Sequence, residues 1–175
     1  RTITLIIIHC SAVRPSQTSS AQQIDSWHRK RGWSGIGYHY VVRRDGTVER
    51  GRPEAKVGAH CLNHNRHSIG VCYEGGLDAQ GRPADTRTEA QKRALLTLVR
   101  ELKGRYPRAI VVSHHTFDPR KGVLAFMQSG SIGTFLAEVG KQLKQQVQHV
   151  TTCELRQSCC KGNNKEQLLR QLFQE

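Results

Sequence analysis

The sequence predicts an α/β protein of the mixed α+β kind, with a central mixed β-sheet flanked by helices. Three observations lead there. Short β-branched runs recur at 3–9, 67–75 and 109–113, each the length of a buried strand. Two capping-box signatures, at 20–23 and 88–91, open segments with helical periodicity. A hairpin signature, "GYHYVVRRDGTVERGR", stands between them. Strands mixed with helices in this way need helices packed on the sheet.

The elements follow in order. Residues 3–9 form a central strand, since Ile3 and the run Leu5 to Ile8 leave no polar face. Ser20 caps a helix carrying Ile24, Trp27, His28 and Arg31 on one side, and Gly32 ends it. In the hairpin, residues 38–43 alternate, Asp45-Gly46 turns, and 47–50 return. "HSIGVCYEG" is a further strand, followed by a Gly- and Pro-rich loop at 75–86. Thr88 caps a second helix with Ala94, Leu95, Leu98, Val99 and Leu102 on one stripe, and Pro107 lies beyond its end. Residues 109–113 are the last strand of this part. From Val123 the character changes: an amphipathic stripe occupies 131–148, a polar Cys-bearing stretch follows, and a short Leu-rich helix is expected near 165–173. The chain therefore divides into a domain at 1–122 and an atypical, partly helical tail at 123–175.

At 175 residues the chain holds about one domain with one substantial core. No stretch approaches the roughly 20 apolar residues of a membrane span, and the short run at 3–8 is no signal-peptide core. We therefore expect no membrane partner and a cytoplasmic location. Its net charge of +13 favours a polyanionic partner: nucleic acid, an anionic lipid surface or an acidic cell wall. Charge alone is a weak argument for direct nucleic-acid binding, which is not expected. Six cysteines without C-x-x-C spacing give no disulfide framework and suit a reducing compartment.

Two histidines carry the chemistry. His9 ends a strand in "HCSA" and His114 ends another in "VVSHHT". Histidines at the C-terminal ends of neighbouring strands can converge in a cleft and bind zinc through imidazole nitrogen. Taken singly, each also reads as a hydrogen-bonded structural histidine, Tyr38 as a half-buried aromatic, and Lys121 as a surface lysine.

The motifs "IIIHCSAVRPSQ", "WHRKRGWSGIGYHYVVRRDGTVERGR", "VGAHCLNHNRHSIGVCYEGG" and "SHHTFDPRK" stand in the order and spacing of the type 2 N-acetylmuramoyl-L-alanine amidases. The chain resembles that family from residue 3 to about 122. The phage lysozymes are the nearest branch, and the peptidoglycan recognition proteins are more distant. The resemblance implies a mixed sheet with Zn2+ at the floor of a groove, and hydrolysis of the amide between N-acetylmuramic acid and L-alanine in bacterial peptidoglycan. It implies His9 and His114 as zinc ligands, Tyr38 and Lys121 as catalytic residues, and His60 and Asn65 as substrate contacts. It further implies a monomer released from the host cytoplasm to act on the wall. A phage member restrains its phage's RNA polymerase, so the resemblance also permits that partner.

One position departs from the pattern. The family supplies a third ligand as cysteine two residues after the lysine, where this chain has Val123. Valine cannot ligate zinc. Three explanations stay open: a shifted reading frame from Val123 onward, testable by reading codons 118–128; a ligand borrowed from Cys153, Cys159 or Cys160; and genuine loss. The last gives the alternative reading, a peptidoglycan-binding module that does not cut.

Overall fold

The computed structural model describes residues 1–117. Expectations for Lys121, Val123, the segments 131–148 and 165–173, and Cys153, Cys159 and Cys160 lie outside the described residues. Five strands and two helices make up the described part: β1 (Leu5–Cys10), α1 (Ala21–Lys30), β2 (Tyr40–Val42), β3 (Val48–Arg50), β4 (Ser68–Tyr73), α2 (Glu89–Arg105) and β5 (Ile110–Ser113). They form one sheet in the order β3-β2-β4-β1-β5. β1 runs parallel to both β4 and β5, β2 runs parallel to β4, and only β3 is antiparallel to its neighbour. The expected mixed sheet is present.

The central position of β1 explains its composition. Ile6, Ile7 and Ile8 are fully buried, as are Ile69 and Val71 of β4. A strand buried on both faces reads as a continuous apolar run. Each such side chain removed from water contributes about 1.5–3 kcal/mol.

Register assigns the faces. Leu5, Ile7 and His9 stand level with Ser68, Gly70 and Cys72, so they share one face. Ile24 of α1 packs there with Val41 and Cys72, and Cys61 packs with Leu5 and Ile7. The other face carries Tyr40 level with Val71. α2 lies on this side, where Tyr40 and Val48 share a cleft with Ala94 and Leu98. Its stripe of Leu95, Leu98, Val99 and Leu102 is buried as expected, together with Gln91, whose amide donates to the carbonyls of Val42 and Glu74.

Both capping boxes form. Ser20 accepts from the Gln23 amide while the Gln23 side chain accepts from the Ser20 amide, and Thr88 and Gln91 repeat the arrangement. Ile24 and His28 of α1 are buried; Trp27, expected beside them, is 37% exposed, and Arg31 caps the helix end. The hairpin is shorter than the pattern suggests, because Tyr38 and His39 precede β2. Its turn follows expectation, with Gly46 at φ +90° and Thr47 N–H donating to Asp45 Oδ1.

Glu74, immediately after β4, ties three loops together. It accepts from Ser19 N–H at 2.8 Å, Arg43 Nε at 2.9 Å and Arg44 N–H at 3.1 Å, with its side chain only 2% exposed. Burial opposes its ionisation, but the hydrogen bonds from Arg43, Arg44 and Ser19 hold its carboxyl below the usual range.

Candidate active site

β1 and β5 pair with Ile8 level with Ser113, so the next residue on each chain, His9 and His114, stands side by side at the C-terminal edge of the sheet. Their rings are 4.6 Å apart, centroid to centroid, and both are buried, at 3% and 8% exposure. Parallel pairing of strands distant in sequence thus brings together the two histidines singled out from sequence. The Tyr38 ring stands 5.0 Å from His9. Burial, with the Cys72 and Cys10 thiols nearby, pushes the Tyr38 hydroxyl well above its ordinary pKa, so at neutral pH it is a protonated donor.

His60 comes from the loop covering this face. Its Nδ1 is 3.0 Å from His9 Nε2, and its ring meets that of His9 edge-on. Burial, with His39 and His114 close by, lowers its pKa to about 3, so it is neutral. The loop is pinned by Asn65, whose Oδ1 accepts from the N–H groups of His60 (2.8 Å) and Cys61 (2.9 Å). His60 and Asn65 both line the groove, and both also make these inward bonds.

Two adjoining cavities form the groove. One, of about 420 Å³, is walled by His9, Ser11, His28, Arg31 and Tyr38. The other, of about 510 Å³, runs past Leu62, Asn63, His64 and Phe117. Trp33, Ala59, His60 and His114 belong to both. Among the lining residues that carried no functional expectation from sequence, His28 and Trp33 stand out. His28, assigned only to a helix face, accepts from Gly37 N–H through Nδ1 at 3.0 Å. Trp33 stacks against His28 at 4.5 Å and stays 42% exposed over the groove. The available signal was the clustering of aromatic and cationic residues in "WHRKRGW".

Imidazole nitrogens suit a borderline-soft divalent ion, and His9 and His114 could supply two of the four donors that such an ion takes. Among the described residues no group of three or more His, Cys, Asp or Glu side chains is disposed to hold a metal. Lys121 lies beyond the described residues. Also among the described residues, no helix is long and apolar enough to cross a membrane.

A parallel-centred mixed sheet with a polar groove at its strand ends and paired histidines on its floor is the framework of a ligand-binding or catalytic site. The chain belongs to the N-acetylmuramoyl-L-alanine amidase family, whose match spans residues 1–122 and ends one residue before Val123. It is 43% identical over 115 residues to the endolysin of Escherichia phage T7, covering 66% of this chain and 76% of that endolysin. The endolysin of Klebsiella phage KP32 is 44% identical over the same length, with the same coverage. Among solved structures, the chain is similar to the endolysin amidase LysCS of Clostridium intestinale, with a TM-score of 0.59 and 30% identity over 74% of this chain and 86% of that one. The Drosophila peptidoglycan recognition protein PGRP-LB shares the fold, with a TM-score of 0.59 and 22% identity over 73% of this chain and 81% of that one. The activity is amide hydrolysis, and peptidoglycan is the substrate or ligand.

Proposed function

We propose that the chain cuts the N-acetylmuramoyl-L-alanine bond of bacterial peptidoglycan as a zinc-dependent, endolysin-type amidase. The convergence of His9, His114 and Tyr38 at the floor of a groove carries this reading. The amidase domain spans 1–122, and the protein acts as a monomer released from the host cytoplasm. Zinc bound at His9 and His114 would lower the pKa of a water toward about 7 and polarise the scissile carbonyl.

The chain's own residues supply the rest. Buried His9 and His114 present nitrogen donors whose orientation is fixed by the paired strands. Tyr38, held protonated, donates a hydrogen bond to oxygen at the reaction centre, where negative charge develops. Lys121, by resemblance, adds a cation for the same charge. Trp33 offers an apolar platform along the groove for the sugar or stem peptide, and the cationic surface raises the local concentration of an acidic wall.

The test is amide hydrolysis on purified peptidoglycan, read as new N-terminal L-alanine. Zinc-loaded protein is expected to generate it, chelated protein to stop, and zinc to restore it. Equal release with and without chelator overturns the zinc dependence.

A further inference from the structure

The groove carries a hydrogen-bond chain with a fixed direction. His9 Nε2 stands 3.0 Å from His60 Nδ1, and His60 Nε2 stands 3.4 Å from Ser68 Oγ. Ser68 Oγ lies 2.7 Å from the His64 carbonyl oxygen. A carbonyl can only accept, so the single Ser68 hydroxyl proton points to His64. Ser68 therefore receives the Nε2–H of His60. A neutral His60 protonated on Nε2 has a lone pair on Nδ1, which must accept from His9 Nε2–H. The direction set at the carbonyl thus propagates back to His9.

Two glycines lie close against the ring that transmits it. A Cβ at Gly70 would stand 2.5 Å from His60 Cδ2, and a Cβ at Gly58 would also stand 2.5 Å from that atom. The absence of a side chain at both positions leaves the ring its slot, and Asn65 fixes the loop backbone beside it.

We propose that His60 is a positioning residue that locks His9 in its Nε2–H tautomer, leaving Nδ1 as the unprotonated nitrogen that ligates the metal. The metal part rests on the zinc reading above; the tautomer part does not. A ligating histidine commonly donates its other N–H to a fixed acceptor, and loss of that acceptor typically costs 10–100-fold in metal affinity. Here the acceptor is a second imidazole. His60→Gln keeps an acceptor oxygen in the slot, whereas His60→Leu removes it.

Two measurements test the proposal on the full chain. The first is the ring-nitrogen NMR spectrum of metal-free wild type, which needs no variant: Nε2–H on His9 is expected, and Nδ1–H overturns the positioning role while leaving zinc binding intact. The second is the zinc Kd by competition with a chromophoric chelator. For His60→Leu, with its fold verified by amide NMR, Kd is expected to rise about 10–100-fold, and for His60→Gln to return within about threefold of wild type. An unchanged Kd in folded His60→Leu, or equal losses in both variants, overturns the proposal. Wild type that binds no zinc overturns the ligation and the zinc reading together, and the tautomer spectrum separates that failure from failure of the hydrogen-bond chain.

Discussion

Adding a single methyl group at Gly70 is expected to unsettle the site. Gly70 is not in the left-handed region, so its backbone accepts alanine without strain. The obstacle is space. A Cβ there would lie 2.5 Å from Cδ2, 2.6 Å from Cγ and 2.7 Å from Nε2 of His60, about 0.9 Å inside the 3.4 Å at which ordinary contact begins. Gly58 also lies close to the same atom, so the only relief for the ring is outward into the groove, away from its bond to His9. Overpacking of this kind costs about 1–3 kcal/mol, and loss of the 3.0 Å bond to His9 adds about 1 kcal/mol. Gly70→Ala should therefore lose about 2–4 kcal/mol in urea unfolding, with weakened zinc binding. Gly104→Ala is the control: near the end of α2, nothing lies within 4 Å of its added Cβ, and it should gain up to about 1 kcal/mol through helix propensity. A Gly70→Ala protein within about 0.5 kcal/mol of wild type, binding zinc normally, would refute the slot.

Three further outcomes are expected. Glu74→Ala leaves Arg43 and Arg44 without their shared buried carboxylate and should cost about 3 kcal/mol by urea unfolding; a loss below about 1 kcal/mol would show that the three loops hold without it. His39 accepts from Gly70 N–H and is 1% exposed, and burial lowers its pKa from 6.5 to about 4. The unfolded chain therefore binds the proton first: His39's contribution is complete above about pH 6.5 and disappears as pH falls toward 4, a loss of about 3 kcal/mol that His39→Gln should flatten in stability-versus-pH curves. Tyr38→Phe removes a donor and little volume, so kcat should fall about 10²–10³-fold with zinc affinity unchanged; retained kcat would exclude the hydroxyl from the chemistry.

Legibility in the sequence followed the range of the interactions. Both capping boxes and the Asp45-Gly46 turn were readable because their partners lie within three residues of each other. The strands were readable from β-branched runs, but their order was not, and it is the placement of β1 between β4 and β5 that sets His9 beside His114. Periodicity misplaced Trp27, since one edge of α1 faces solvent. His28 and Trp33 left only the aromatic and cationic cluster "WHRKRGW" as a signal, and the Gly58–Gly70 slot left none, because it depends on how the loop carrying His60 folds back onto the sheet. Family resemblance named His60 and Asn65 as groove residues; their inward bonds to His9 and to the loop backbone needed coordinates. The change of character at Val123 coincides with the end of the family match at 122.

The most direct test of the central claim is the zinc content of purified protein, measured beside release of N-terminal L-alanine from peptidoglycan, with His114→Ala in parallel. The account predicts about one zinc per chain in wild type, as a single paired-histidine centre requires, with L-alanine released, and the loss of both in His114→Ala. Wild type that binds the wall but holds no zinc and releases no L-alanine would contradict it.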